Sequence, residues 1–529
     1  MGLVGESGSG KSVSMMSVMG LLPKPPQCMV EGKALLNVGE GAAPVELISL
    51  TEKEKRLYRG RQMSMIFQEP MTSLNPVQKC GAQVMEMLLQ HERVSRREAR
   101  GRVLELFEEV KLPRPEKIFE SYPHQISGGQ KQRVMIAMAL VCHPRLLIAD
   151  EPTTALDVTV QKTILELLRA LQRKYGIGVI FITHDLGVIA QIADDVAVMY
   201  RGEIVERGTA EQVLHHPRHP YTQGLLACRP PLEGRPRRLP TVKEFLEGAE
   251  PSLEEAPARP DLAHSGAEPL VRVRDLDVTY ALEKNIFGKV TKELKAVDGV
   301  SFDIYRGETM GLVGESGCGK STLGRALLRL QEHSAGTITY GGREIDSLGG
   351  ADLRRWRRKV QIVFQDPYSS LNPRLSIGQA IEEPLKSHGL CAGRGQRRER
   401  VLWLMHQVGL EPQWYNRYPH EFSGGQRQRV CIARALILEP ELIVCDESVS
   451  ALDVSVQAQV LNLLNDLKER FGYTYLFITH DLSVVKFLSD RIMVMQKGRL
   501  VEMGTGDELF VHPRQPYTQS LVDALPRIY

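Results

Sequence analysis

The apolar positions of this chain fall into two kinds of pattern. Leu146 to Asp150 and Val179 to Thr183 are short, nearly continuous apolar runs, the habit of parallel strands buried on both faces. Between them Val160, Ile164, Leu167, Leu168 and Leu171 recur at helical spacing, and Gly176 stands where that helix would stop. The same strand–helix–strand unit returns over Leu442 to Thr479. Met63 to Phe67 and Val360 to Phe364 are also strand-like. The stretch between Gln68 and Ser127 reads as a more helical insert, in which Ser95-Arg-Arg-Glu98 forms a capping box ahead of Val103, Leu106, Phe107 and Val110. The fold class is therefore α/β. No apolar run approaches the roughly 18 residues that a membrane span needs, and no signal peptide opens the chain.

The unit returns because the chain is an internal repeat. MGLVGESGSGKS (Met1 to Ser12) recurs as MGLVGESGCGKS (Met310 to Ser321), and IFQEPMTSLNP (Ile66 to Pro76) as VFQDPYSSLNP (Val363 to Pro373). YPHQISGGQKQRV (Tyr122 to Val134) recurs as YPHEFSGGQRQRV (Tyr418 to Val430), and LLIADEPTTALDVTVQ (Leu146 to Gln161) as LIVCDESVSALDVSVQ (Leu442 to Gln457). This gives a first domain over 1–228, a second over 270–529, and between them 229–269, rich in proline and charge without an apolar period. That segment reads as a flexible or semi-extended linker, with a loop packed on one domain as the alternative. The second copy carries Leu270 to Thr309 ahead of its glycine-rich motif, including strand-like LVRVRDLDVTY and AVDGVSFDIYRGE. The first copy begins inside the strand that should feed its own. Loss of leading strands would expose a sheet edge, so Met1 is expected to be an internal methionine of a chain that starts upstream.

Composition adds bounds rather than function. At 529 residues the chain is too long for one core, which agrees with two domains. An apolar fraction of 42% and a charged fraction of 25% are those of an ordinary globular protein. A net charge of +3 gives no global reason to bind nucleic acid or an acidic surface. The 8 cysteines are scattered without a C-x-x-C pair, the usage of a reduced cytosolic protein with neither a disulfide framework nor a zinc site.

The repeated motifs carry chemistry. Gly5, Glu6, Ser7, Gly8, Ser9, Gly10, Lys11 and Ser12 form one phosphate-loop pattern. Gly314, Glu315, Ser316, Gly317, Cys318, Gly319, Lys320 and Ser321, followed by Thr322, form the other. Glycines let backbone N–H groups converge on phosphate oxygens, the following helix adds its positive end, the lysine places charge on the outer phosphates, and the serine hydroxyl is a Mg²⁺ ligand. Asp150-Glu151 and Asp446-Glu447 each end an apolar strand, where an acidic residue can hold Mg²⁺ and the next carboxylate can orient or deprotonate water. His184 and His480 follow another strand and suit a γ-phosphate contact. Gln68 and Gln365 can reach both Mg²⁺ and the attacking water. Ser127, Gly128, Gly129 and Gln130, and Ser423, Gly424, Gly425 and Gln426, open helices and form a second kind of anion site.

Phosphate loop, glutamine, SGGQ signature, Asp-Glu pair, SALD or TALD loop and histidine occur in this order twice, and together they resemble the ABC ATPase family over nearly the whole chain. The resemblance implies two tandem ABC-type phosphate-loop NTPase domains, each with a RecA-like core and a helical subdomain. It implies ATP and Mg²⁺ as cofactors, and composite sites in which one domain's phosphate loop faces the other's signature: Gly5 to Ser12 with Ser423 to Gln426, and Gly314 to Ser321 with Ser127 to Gln130. Glu151 and Glu447 would be the catalytic carboxylates, assisted by His184, His480, Gln68 and Gln365. Mg²⁺ would be held by Ser12, Gln68 and Asp150 in one site and by Ser321, Gln365 and Asp446 in the other. Both sites are expected to hydrolyse. Tyr280, in DLDVTY, is similar to the family's adenine-stacking aromatic; the first copy has no counterpart, so if the chain starts at Met1 its site should bind ATP more weakly. Ser448 replaces a common proline beside an unchanged Asp-Glu pair, with little effect expected.

HPRHPYTQGLL (His216 to Leu226) and HPRQPYTQSLV (His512 to Val522), with the SLNP segments, resemble the ATPases of peptide and nickel importers; two such domains in one chain resemble the glutathione-importing branch. Implied partners are two permease subunits and a periplasmic binding protein, with the chain peripheral on the cytoplasmic face of the bacterial inner membrane and no nucleic acid involved. Only Cys228 follows the first HPYT segment, so no iron–sulfur centre is expected. A ribosome-associated ABC factor would be expected to carry a long basic helical linker, and a DNA-repair ABC ATPase would need zinc-binding cysteine clusters; the sequence has neither.

Overall fold

The computed structural model describes residues 1–23, 25–39, 41, 43–68, 73–153, 156–249, 254–257, 266–284, 290–391 and 393–525. Residues 69–72 and 154–155 of the repeated motifs, and 250–253 and 258–265 of the linker, lie outside the described residues. The chain divides into two compact units, one built on Met1–Leu226 and one on Ala227–Leu525.

In the first unit the strands are β1 (Gly2–Val4), β2 (Leu35–Leu36), β3 (Val45–Glu46), β4 (Met63–Ile66), β5 (Leu146–Asp150), β6 (Gly178–Thr183), β7 (Asp195–Tyr200) and β8 (Glu203–Thr209). Six of them form one sheet in the order β4-β5-β6-β1-β7-β8, parallel except for the β7–β8 pair. The apolar runs are continuous because the central strands are covered on both faces: Leu3, Ile148 and Ile182 share one buried cluster, and Val4, Leu147, Ala149 and Phe181, which alternate with them, are buried as well. Parallel register sets the site. Val4 lies beside Thr183, and Asp150 beside Ile182, so the C-terminal ends of β1, β5 and β6 share one edge.

The second unit holds β9 (Val271–Lys284), β10 (Val290–Ile304), β11 (Thr309–Val313), β12 (Ala335–Tyr340), β13 (Arg343–Glu344), β14 (Val360–Val363), β15 (Leu442–Asp446), β16 (Thr474–Ile478), β17 (Arg491–Gln496) and β18 (Arg499–Gly504). Its main sheet, β14-β15-β16-β11-β17-β18, repeats the first one's order. A four-stranded sheet, β10-β9-β12-β13, is added, and its Val273, Val278 and Phe302 join Met310, Leu312 and Val444 in one core. Among the described residues no helix is long and apolar enough to cross a membrane.

Helix Val158–Tyr175 buries Ile164, Leu167, Leu168 and Leu171 and ends at Gly176 with φ 61, as the periodicity predicts. Helices Cys80–His91, Arg96–Glu109 and Pro115–Glu120 make the helical insert of the first unit. Ser95 caps the second of these by accepting from the Glu98 N–H, but the Glu98 carboxylate turns outward to Arg102 at 2.9 Å. An exposed i, i+4 ion pair thus takes the place of the expected reciprocal bond.

Part of the proline-rich segment is packed rather than extended. Leu239 is buried, and its N–H and C=O are both bonded to the side-chain amide of Asn462, at 2.9 and 2.8 Å. Arg237 and Arg238 pair with Glu469 and Asp466 on the same helix, Val454–Phe471, and Lys486 donates to the Leu232 carbonyl at 2.5 Å. Thr241 caps a short helix, Val242–Leu246. The described residues from Leu232 to Leu246 therefore follow the packed alternative, docked on the second unit.

Candidate functional site

Each phosphate loop is shaped by backbone that other residues tolerate poorly. Gly5 has φ +152, and a Cβ there would lie 2.2 Å from the Met199 carbonyl oxygen; Gly314 has φ +153, with the corresponding contact at 2.1 Å to Met495. Neighbouring strands β7 and β17 thus press the loop main chain inward, where no side chain fits. The loop closes on its lysine. The Lys11 ammonium donates to the carbonyls of Gly5 and Glu6, both at 2.7 Å, and Lys320 donates to Gly314 and Glu315 at 2.8 and 2.9 Å. Both lysines are buried, so each charge is satisfied by backbone oxygens.

Ser12 and Ser321 open the following helices and donate to Asp150 Oδ1 at 2.9 Å and Asp446 Oδ1 at 2.7 Å. Burial pushes the Asp150 carboxyl up, against the bond from Ser12; burial raises Asp446 likewise, against Ser321. A buried carboxylate beside a serine hydroxyl is a hard-oxygen donor set, and Mg²⁺ uses few protein ligands beside phosphates and water. The residues fit that ion, although among the described residues no group of three or more His, Cys, Asp or Glu forms an all-protein metal cage.

The Asp-Glu pairs bring the remaining predicted groups together. Gln68 Nε2 donates to Glu151 Oε2 at 2.9 Å, and Gln365 Nε2 to Glu447 Oε2 at 2.9 Å. His184 Nδ1 lies 3.3 Å from Glu151 Oε1, and His480 Nδ1 3.6 Å from Glu447 Oε2. The bond from His480 holds the Glu447 carboxyl below the usual range, against burial that would raise it. The two carboxyl oxygens of Glu151 thus meet an amide and an imidazole separately, whereas Gln365 and His480 both face Oε2 of Glu447; either carboxylate is held by both partners and can orient water. Ser448 stands where the first unit has Pro152; the Gln–Glu distance is 2.9 Å in both units, while the histidine contact is 3.3 Å to Oε1 in the first and 3.6 Å to Oε2 in the second.

The signature residues lie on different elements. Ser127 caps helix Gly128–Leu140 and exchanges bonds with Gln130 at 3.0 and 3.4 Å, and Ser423 caps Gly424–Leu436 in the same way. Ser127, Gly128, Ser423 and Gly424 are exposed. Tyr280 lies on β9 opposite Leu294 of β10, half-buried against the core of the second unit.

Two features were not anticipated from the sequence. Glu151 and Glu447 adopt φ 46 and 48, a left-handed conformation that is costly for glutamate, and each fixes it by donating its N–H to Ile182 or Ile478 at 2.9 Å. The tyrosines of the HPRHPYT and HPRQPYT segments also reach the phosphate loops: Tyr221 accepts from the Glu6 N–H at 3.0 Å, and Tyr517 from the Glu315 N–H at 3.2 Å. The recurrence of both tyrosines in matching segments was the available signal.

A family model described as ABC transporter matches residues 1–154 and 297–450. A second, described as oligopeptide/dipeptide transporter, C-terminal region, matches 205–258 and 501–529. The chain is 50% identical over 525 residues to the glutathione import ATP-binding protein of Salmonella choleraesuis, covering 99% of this chain and 84% of that one. It is 49% identical over 530 residues to the protein of the same description from Pectobacterium atrosepticum, with the same coverage. Among solved structures, the ATP-binding cassette MJ0796 with ADP and Pi is 30% identical and covers 44% of this chain and 98% of its own, at a TM-score of 0.40. With that family model matched twice, and an oligopeptide/dipeptide C-terminal region after each match, the chain belongs to the ABC transporter ATPases.

Proposed function

We propose that this chain is the ATP-hydrolysing subunit of an importer for glutathione or small peptides. The observation that carries the reading is identity of about half across 99% of the chain to glutathione import ATP-binding proteins. A dipeptide, oligopeptide or nickel importer is the second reading, favoured by the C-terminal region whose description names oligopeptides and dipeptides.

In this reading, ATP supplies the phosphoryl group that is transferred to water. Gly5 to Ser12 and Gly314 to Ser321 cradle its phosphates with backbone N–H groups, and Lys11 and Lys320 turn from their own loop carbonyls toward the outer phosphates. Ser12 and Asp150, or Ser321 and Asp446, hold Mg²⁺ together with Gln68 or Gln365. Glu151 and Glu447 orient and deprotonate water, with His184 and His480 as partners on the γ-phosphate side. Signatures Ser423 to Gln426 and Ser127 to Gln130 complete the opposite site each, and Tyr280 stacks on the adenine of the second. Domains 1–228 and 270–529, joined by 229–269, act as a pair beneath two permease subunits fed by a periplasmic binding protein, peripheral on the inner membrane.

The test is growth of a deletion strain on glutathione as sole sulfur source. Loss of growth, restored by the wild-type gene but not by a Glu151→Gln/Glu447→Gln version, is expected. Undiminished growth on glutathione with loss of dipeptide or nickel uptake would move the assignment to the second reading.

A further inference from the structure

The phosphate loops are fixed from a direction that the hydrolytic chemistry does not use. The peptide between Gly5 and Glu6 is bonded on both sides: its C=O accepts from Lys11 at 2.7 Å, and its N–H donates to the hydroxyl of Tyr221 at 3.0 Å. In the second unit the Gly314–Glu315 peptide accepts from Lys320 at 2.8 Å and donates to Tyr517 at 3.2 Å. A peptide group is planar, so the partner of its N–H sets the direction of its C=O. The tyrosine hydroxyl therefore governs where the lysine's backbone acceptor points.

The tyrosines are themselves held. Tyr221 is fully buried and lies against Tyr200, with ring centroids 4.2 Å apart. The loop leading to it is tied by Glu206 of β8, whose two carboxylate oxygens accept from the Arg218 N–H at 2.7 Å and the His219 N–H at 3.1 Å. Glu502 of β18 does the same for Arg514 and Gln515, at 2.8 and 3.1 Å. Two units with different local residues keep the same chain of contacts, from a strand carboxylate through the HPxxPYT loop to the phosphate-loop peptide. We infer that Tyr221 and Tyr517 are positioning residues for nucleotide binding, through which the C-terminal segment of each domain sets the phosphate loop. In this role they act through the Gly5–Glu6 and Gly314–Glu315 peptides rather than on the nucleotide or metal directly. The inference rests on the reading that these loops bind ATP.

The test uses the full chain with Tyr221→Phe and Tyr517→Phe, singly and together, and measures equilibrium ATP binding, steady-state hydrolysis and nucleotide-free melting. Removal of the hydroxyls should raise the ATP Kd of the double variant roughly five- to tenfold, with kcat at saturating ATP within about twofold of wild type. A lowered melting temperature with an unchanged ATP Kd would make the tyrosines merely structural and overturn the inference. Absence of ATP binding by the wild-type chain would instead overturn the functional reading beneath it. Should the variants fail to fold, amide hydrogen exchange on the wild-type chain decides. Mg²⁺-ATP should slow exchange in the segments around Tyr221 and Tyr517, and no change there refutes the coupling.

Discussion

A methyl group added at Gly314 would lie 2.1 Å from the carbonyl oxygen of Met495, where 3.4 to 4 Å is ordinary contact. That oxygen belongs to β17, which is paired to β11 through Met310, Gly311, Leu312 and Val313, so the sheet holds it in place. Gly314→Ala should cost about 1–3 kcal/mol for a non-glycine residue at this φ, and about 1–3 kcal/mol more for overpacking against fixed backbone. Gly317, three residues on in the same loop, has φ +75 and open space around the added carbon. Gly317→Ala should cost only about 1–2 kcal/mol of conformational strain. In a domain of this size a loss of 1 kcal/mol lowers the melting temperature by roughly 2–4 °C. Nucleotide-free melting of the full chain should then show a drop of about 4–24 °C in the second unit's transition for Gly314→Ala, and of about 2–8 °C for Gly317→Ala. Nucleotide must be left out, because both glycines belong to the loop proposed to hold phosphate. Equal shifts for the two variants, or a Gly314→Ala protein as stable as wild type, would refute the assignment of a close backbone approach at Gly314.

Two further outcomes follow from the site and the linker. Glu151→Gln/Glu447→Gln removes the carboxylate aimed by Gln68 and His184, and by Gln365 and His480; phosphate release should fall about a hundredfold or more while ATP binding persists. Hydrolysis within tenfold of wild type would remove the two glutamates from the mechanism. Asn462→Ala deprives buried Leu239 of both side-chain bonds, which should raise the opening of this segment roughly tenfold, read as faster tryptic cleavage at Arg235, Arg237 and Arg238. Unchanged cleavage would mean that other contacts hold the segment.

What could be read from the sequence was local in origin. The glycine spacing of the phosphate loops, the serine that caps each signature helix and the apolar runs of β5 and β6 each express their conformation within a few residues, and the repeat displayed them twice. Gly176 ended its helix for the same reason. The remainder depended on residues far apart in the chain. Nothing near Glu6 announces that its N–H would meet Tyr221, and nothing in a run of prolines and arginines announces a single asparagine at 462 that holds Leu239. The Gln68–Glu151 bond is of the same kind: each residue stands out by its own motif, but an amide donating to the carboxylate, rather than facing metal and water alone, is a product of how β4 and β5 lie side by side. At Ser95 the local signal holds for the cap itself but not for its reciprocal bond, because Arg102 competes for Glu98.

The left-handed backbone at Glu151 and Glu447 has a consequence for evolution. At φ 46 and 48 a glycine would relieve strain of about 1–3 kcal/mol at each position. Selection for thermal robustness alone would therefore drift both positions toward glycine or asparagine, which on the proposed mechanism would end hydrolysis while the fold improved. On the proposed role of the two glutamates, the strain is kept only where ATP hydrolysis is under selection.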